Sequence, residues 1–112
     1  MTFDDYNNEI STYYGDYGVP IVFEAGKDEG FNIGDKVIFV FNTGAISDRE
    51  YTVNADDYTF SLSLTKAEAD TLFNQHRGNI SYSAKRYSES GEFLETLING
   101  MLVAKETLQW QN

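Results

Sequence analysis

The stretch from Tyr58 to Val103 constrains the fold of this chain most, because its residue patterns change in a definite order. Residues 58–64 alternate apolar and polar side chains, which is typical of a half-buried strand. Thr65 and Glu68 have the spacing of a capping box, in which each side chain bonds the backbone amide of the other residue. This pattern predicts a helix over residues 66–73.

Two predicted hairpins follow the helix. Residues 78–87 alternate like a strand, and the Ser-Glu-Ser-Gly segment ending at Gly91 predicts a turn. The pair Asn99-Gly100 suits a two-residue type I′ turn, which would pair Ile98 with Met101. This second hairpin would have large apolar side chains opposite its core-facing ones: Phe93, Leu97 and Leu102. Such a face needs a cover, either the N-terminal residues or another subunit.

The first half of the chain supplies the remaining strands. Pro20 precedes an apolar strand over 21–24, and residues 49–54 form a weaker one. Residues 36–41 are apolar at every position after Lys36, which predicts a central strand covered on both faces. The fold class expected for residues 20–112 is all-β, an antiparallel immunoglobulin-like β-sandwich of about seven strands with one short helix. The predicted core is Phe39 or Val40, Phe60, Leu62, Leu72, Ile80, Tyr82, Ile98 and Val103.

Residues 1–19 differ from the rest, since they are acidic, rich in tyrosine and without a clear period. They predict an irregular arm, with at most one helical turn near residues 6–13. Tyrosine offers a large contact area with little loss of conformational entropy, which favours it at protein interfaces. The predicted interface residues are therefore Tyr6, Tyr13, Tyr14 and Tyr17 of the arm, Phe93, Leu97 and Leu102 of the hairpin, and Trp110 of the tail.

Composition restricts the partners. The chain has 112 residues, no cysteine and a net charge of −10, so we expect a single domain without disulfides. Nucleic acid and anionic membranes repel so acidic a surface. The charge serves solubility, or it forms a docking face for a basic partner. The start of the sequence lacks the basic and apolar regions of a signal peptide, which predicts synthesis in the cytoplasm.

The sequence contains little that could carry catalysis. His76 is the only histidine and has no nucleophile motif beside it, so the expected reading is a solvated side chain. Asp56 and Asp57 could hold calcium or act as an acid pair, but they lack the spacing of a calcium loop. Gly26, Gly30 and Gly34 match no phosphate-binding motif. We expect no enzyme activity, no cofactor and no metal site.

Residues 58–103 resemble the C-terminal half of small β-sandwich domains in structural proteins of tailed phages and prophages, such as baseplate upper proteins. The resemblance covers the helix start, a following leucine and glycine, a tyrosine in the next strand, and two later glycine-containing segments. The matching positions are Thr65, Glu68, Leu72, Gly78, Tyr82, Gly91, Thr96 to Gly100, and Val103. The match concerns structural motifs and leaves out residues 1–19.

The resemblance implies a non-enzymatic structural or adaptor subunit of a phage particle, in the tail or baseplate, and carries over no catalytic residue. Its implied partners are other phage structural proteins or copies of itself, and its implied location is the virion after synthesis in a bacterial cytoplasm. Two alternatives remain open. One is a stand-alone immunoglobulin-like module that binds carbohydrate or a host surface protein, and the other is a small hydrolase that uses an acid pair.

Overall fold

The computed structural model describes residues 2–13, 18, 20–24, 30–42, 46–54, 58–75 and 79–105. Within these residues the chain forms eight strands and one helix. In chain order they are β1 (Thr2–Asp4), β2 (Glu9–Tyr13), β3 (Ile21–Glu24), β4 (Lys36–Phe41), β5 (Arg49–Thr52), β6 (Thr59–Leu62), α1 (Lys66–Gln75), β7 (Asn79–Tyr87) and β8 (Phe93–Lys105).

The strands form two sheets. The large sheet has the order β1-β2-β8-β7-β4-β5, and the small sheet pairs β3 with β6. Neighbouring strands are antiparallel except β2 and β8, which run parallel with Ile10 opposite Leu102. The prediction of a mostly β domain with one short helix is confirmed. The prediction of purely antiparallel sheets is wrong, because β2 joins β8 in the parallel direction.

The predicted turn at Asn99-Gly100 is wrong, because both residues lie inside the single strand β8. Asn99 is opposite Ser83 and Gly100 is opposite Tyr82 on β7. Glycine is required here by a close backbone approach, since a Cβ on Gly100 would lie 2.1 Å from the carbonyl oxygen of Asn8. The turn between β1 and β2 therefore rests directly on β8.

Two further contacts hold this turn in place. The Tyr82 hydroxyl donates a hydrogen bond of 2.6 Å to the Asn8 carbonyl oxygen, and the Asn8 side-chain amide donates to the Asn99 carbonyl at 3.3 Å. Asn8 has a positive φ of 60°, a conformation that asparagine tolerates better than most residues. Burial raises the pKa of the Tyr82 hydroxyl above its ordinary value, so it stays protonated and able to donate.

The N-terminal arm is also different from the prediction. Residues 2–4 and 9–13 are strands of the large sheet, and residues 5–8 form the turn between them. Ile10 is completely buried in the core between these elements and β8. These two strands could not be predicted from the sequence, because one apolar residue among polar ones gives no hydrophobic period typical of a strand or a helix.

The hairpin predicted near Gly91 is confirmed. The Ser88 amide donates to the Glu92 carbonyl at 2.8 Å, and the Gly91 amide donates to the Ser88 carbonyl at 2.9 Å. Gly91 has a φ of 92°, which glycine adopts without steric cost. This turn joins the two longest strands, β7 and β8.

The core lies between the two sheets and the helix. The predicted members Phe39, Phe60, Leu62, Leu72, Ile80 and Tyr82 are buried. Ile98 is half-buried at the edge of the core. Val103 is a wrong prediction, since without a turn at Gly100 its neighbours Leu102 and Ala104 face the core instead. Val40 is 36% exposed, so β4 is covered on one face only.

Aromatic rings join the two sheets. The Phe23 ring of the small sheet lies 5.3 Å from Phe39 of the large sheet and stacks at 5.8 Å on Phe60. Phe39 also contacts Tyr51 of β5 edge-on, with centroids 6.0 Å apart. Buried aromatic pairs of this kind add about 0.5–1.5 kcal/mol each beyond the burial of area.

The capping box at the start of α1 is confirmed. The Glu68 amide donates to the Thr65 hydroxyl at 3.2 Å, and the Thr65 amide donates to the Glu68 carboxylate at 2.9 Å. Arg49 of β5 pairs with the same carboxylate and so attaches the helix to the large sheet. Burial raises the pKa of Glu68, but the bonds from Arg49 and the Thr65 amide outweigh it, so the pKa lies below its ordinary value.

Gly100→Ala should destabilise the protein by about 1–3 kcal/mol, because the new methyl group meets backbone atoms that cannot turn away. Urea denaturation monitored by circular dichroism measures the difference. Gly18→Ala is the matched control, since a Cβ at Gly18 meets nothing within 4 Å. Equal stability of the two variants would contradict the close contact between the Asn8 backbone and Gly100.

Candidate interaction surface

The face of the large sheet that points away from the core is called the outer face here. Strand alternation assigns its residues, because directly paired side chains in antiparallel strands project to the same side. On the four strands from β5 to β8 of this sheet, its members include Glu50 and Thr52 of β5, Lys36, Ile38 and Val40 of β4, Asn79, Ser81, Ser83, Lys85 and Tyr87 of β7, and Phe93, Thr96, Asn99, Met101 and Val103 of β8.

The outer face is most apolar where β7 meets the start of β8. Tyr87 pairs with Phe93, and their rings lie 5.7 Å apart edge-on. Phe93 is 52% exposed and Leu94 is 42% exposed. Leu94 has no partner on β7, because Glu95 pairs with Arg86 and Phe93 with Tyr87. This β-bulge leaves two successive apolar side chains in water.

A shallow depression lies at the other end of the same face. It has a volume of about 320 Å³, and Val40, Ser81, Ser83 and Asn99 are among the residues that line it. Short hydroxyl side chains between the taller Val40 and Asn99 leave this space. Its hydroxyl and amide groups can hydrogen-bond a partner, but none of them is arranged as a nucleophile with a base.

The outer face carries two lysines that have no acidic partner among the described residues. Lys36 lies opposite Tyr87, and Lys85 lies opposite Ile38, which makes the lysines diagonal neighbours on β4 and β7. Within the described residues, neither forms an ion pair. The other described cations all do: Arg49 with Glu68, Lys66 with Asp70, Arg86 with Asp35 and Glu95, and Lys105 with Glu9.

A buried arginine fixes the end of the sheet that carries Phe93. The Arg86 guanidinium donates to Asp35 at 2.9 Å, to Glu95 at 2.9 Å and to the Gly30 carbonyl at 2.8 Å. It also lies 4.7 Å from the centre of the Phe31 ring. Burial lowers the pKa of Arg86, but the two carboxylates outweigh this effect and leave the pKa above its ordinary value. The group ties β7, β8 and the loop before β4 together.

The predicted interface residues do not form one site. Tyr6 is 95% exposed in the β1–β2 turn, and Phe93 is exposed at the start of β8. That turn rests on Gly100, seven residues along β8 from Phe93, which at about 3.3 Å per residue is roughly 20 Å away. Leu97 is half-buried against the core.

The remaining predicted residues are Leu102, Tyr13, Tyr14, Tyr17 and Trp110. Leu102 is completely buried and cannot contact a partner. Tyr13 lies in β2 opposite Lys105. Tyr14, Tyr17 and Trp110 lie outside the described residues, as do His76, Asp56 and Asp57.

Sequence reasoning missed Lys36, Lys85, Tyr87 and Leu94 as surface candidates. The alternation of β7 could have placed Lys85 and Tyr87 on the side opposite Tyr82. Leu94 gave no signal, because a bulge depends on the register between two strands.

The described residues contain no group of three or more histidine, cysteine or acidic side chains that could hold a metal ion. Helix α1, the helix of the described part, is too short and too polar to cross a membrane. No family model, no curated protein and no solved structure matches this chain.

The Arg86–Asp35 pair should show strong energetic coupling. Arg86→Met should cost about 3–5 kcal/mol, because it leaves Asp35 buried and charged without its partner. In a chain that already carries Arg86→Met, Asp35→Asn should lower the free energy of unfolding much less than it does in the unchanged chain. Glu95→Gln should cost less than about 1 kcal/mol, because that carboxylate is half exposed. Denaturant unfolding of the unchanged chain, the two single variants and the double variant gives a double-mutant cycle for Arg86 and Asp35. Additive changes in the free energy of unfolding would contradict coupling between the two residues.

Proposed function

We propose that this chain is a non-enzymatic structural or adaptor subunit of a phage particle, in its tail or baseplate, and that it acts through protein–protein contacts. The observation that carries the proposal is the exposed apolar pair Phe93 and Leu94 at the start of β8, directly before Glu95, which the buried Arg86 binds. A protein that works alone in water rarely leaves such side chains together on its surface.

The resemblance of residues 58–103 to phage structural β-sandwich domains supports the location in a particle. The helix start at Thr65 and Glu68 and the turn at Gly91 carry that resemblance, and both motifs have the expected local structure. An immunoglobulin-like sandwich stays a prediction, supported by the packing of Phe23 and Phe60 against Phe39 between two sheets. Partners are other particle proteins or copies of the same chain.

The proposal predicts that the chain purifies with phage particles released by the lysogen that encodes it. Mass spectrometry of gradient-purified particles should detect it in a fixed ratio to the major tail protein. The double variant Phe93→Thr, Leu94→Thr should be incorporated at a level at least about tenfold lower, since about 1.5–3 kcal/mol is lost for each large apolar side chain.

The matched control is Val22→Thr, which changes an apolar side chain that is 61% exposed on the small sheet. It should be incorporated like the unchanged chain. Absence of the expressed chain from purified particles would refute the phage role. Normal incorporation of the double variant would show that this surface is not the one used.

A further inference from the structure

We infer that the outer face is a self-association surface, which packs against the outer face of a second copy of this chain. The inference rests on the proposed function and deepens it, since it names the partner of the same surface. Three features of the face argue for it: its exposed apolar side chains, the position of its charges and the charge of the rest of the chain.

The apolar side chains of the face lie on three neighbouring strands. Ile38 and Val40 lie on β4, Tyr87 on β7, and Phe93 and Met101 on β8. Val40 is 36% exposed and Met101 40% exposed, and Phe93 is the most exposed of the five. Sheets pack face to face through side chains of this kind at about 10 Å separation. The burial of these side chains would supply the attraction.

The basic side chains lie on the two middle strands of the face, and the acidic side chains lie at its borders. Lys36 and Lys85 are diagonal neighbours on adjacent strands, a relation that places Cα atoms about 7–8 Å apart. Glu50 borders the face on β5, opposite Ile38, and Glu92 borders it immediately before Phe93. Among the described residues, neither glutamate forms an ion pair.

This arrangement is complementary to itself. A two-fold axis brings the face of one copy against the same face of a second copy. Each contact between two different residues then occurs twice, once in each direction. The basic centre of one copy can then meet the acidic borders of the other in both directions. Each contact would neutralise a lysine that has no acidic partner within the described part of its own chain.

Other partners fit the charges less well. A strongly basic partner would be repelled by Lys36 and Lys85, and a strongly acidic one by Glu50 and Glu92. The net charge of −10 opposes association of two copies in general, so a dimer requires local pairing at this face. A second copy supplies both signs in the required positions.

Sedimentation velocity on the full chain tests the inference, from roughly 10 μM to roughly 1 mM, where interfaces of modest area dissociate. The unchanged chain should show a concentration-dependent dimer. Lys36→Glu with Lys85→Glu should raise the dissociation constant at least about tenfold, because like charges then face each other. Glu50→Lys with Glu92→Lys should do the same.

The second variant separates pairing at the face from the effect of net charge. It makes the chain less acidic, so general repulsion alone would strengthen its dimer rather than weaken it. Asp5→Lys with Asp70→Lys is the matched control, because it makes the same charge change in the β1–β2 turn and on helix α1, outside the face. It should leave the dissociation constant unchanged or lower it.

An equimolar mixture of the two face variants gives the sharpest result. One variant is acidic at all four positions and the other is basic at all four, so the mixture should form a heterodimer at concentrations where neither variant alone forms a homodimer. Circular dichroism checks that both are folded. A monomeric unchanged chain, equal effects of the face and control substitutions, or no heterodimer would each overturn the inference.

The result is distinguishable from failure of the proposed function. A dimer with the predicted charge dependence in a chain absent from particles would sustain the self-association surface and refute the phage role. A chain present in particles but monomeric at all concentrations would sustain the role and refute the surface.

Discussion

The structure depends on strand β8 being continuous from Phe93 to Lys105. This strand pairs with β7 on one side along almost its whole length, and with β2 on the other side at its end, from Leu102 to Lys105. Gly100 makes both pairings compatible, because its missing side chain lets the Asn8 backbone pass over β8 where the β1–β2 turn ends. The parallel position of β2 and the burial of Ile10 follow from that contact.

The two halves of β8 have different roles. Its second half contributes Leu102 and Ala104 to the core, where it packs against β2, β7 and α1, while Met101 lies on the outer face. Its first half carries the exposed pair Phe93 and Leu94, displaced from regular pairing by bulges. The Arg86 ion group holds this half against β7 and the loop at Asp35. One strand thus joins the core to the surface proposed for contacts.

Several elements could be predicted from the sequence, because local rules decide them. The capping box of Thr65 and Glu68 uses atoms only three residues apart, and the turn at Gly91 needs only a positive φ. Alternation located β6 and β7 and most of the core, and a continuous apolar run located β4. These features need no knowledge of the remaining chain.

The predictions were wrong where contact with a distant part of the chain overrides the structure that the local residues favour. Asn99-Gly100 is a strong turn signal by itself, but here the glycine serves a backbone contact with Asn8, which lies near the other end of the chain. The same misreading placed Val103 in the core and Leu102 at the surface. The candidate site was predicted in part, since Phe93 is exposed, while Lys36, Lys85 and the bulge at Leu94 depend on cross-strand register.

Amide hydrogen exchange across β8, measured by NMR, tests the central claim most directly. A continuous strand paired with β7 predicts slow exchange at alternate residues from Ile98 to Met101, which includes one of Asn99 and Gly100. The added pairing with β2 extends the slow exchange to the residues from Leu102 to Ala104. The turn residues Glu89 and Ser90 should exchange rapidly in the same sample and serve as the internal reference. Exchange at Asn99 and Gly100 as rapid as at Glu89 and Ser90 would contradict the account, because it would place a turn where the structure has a strand.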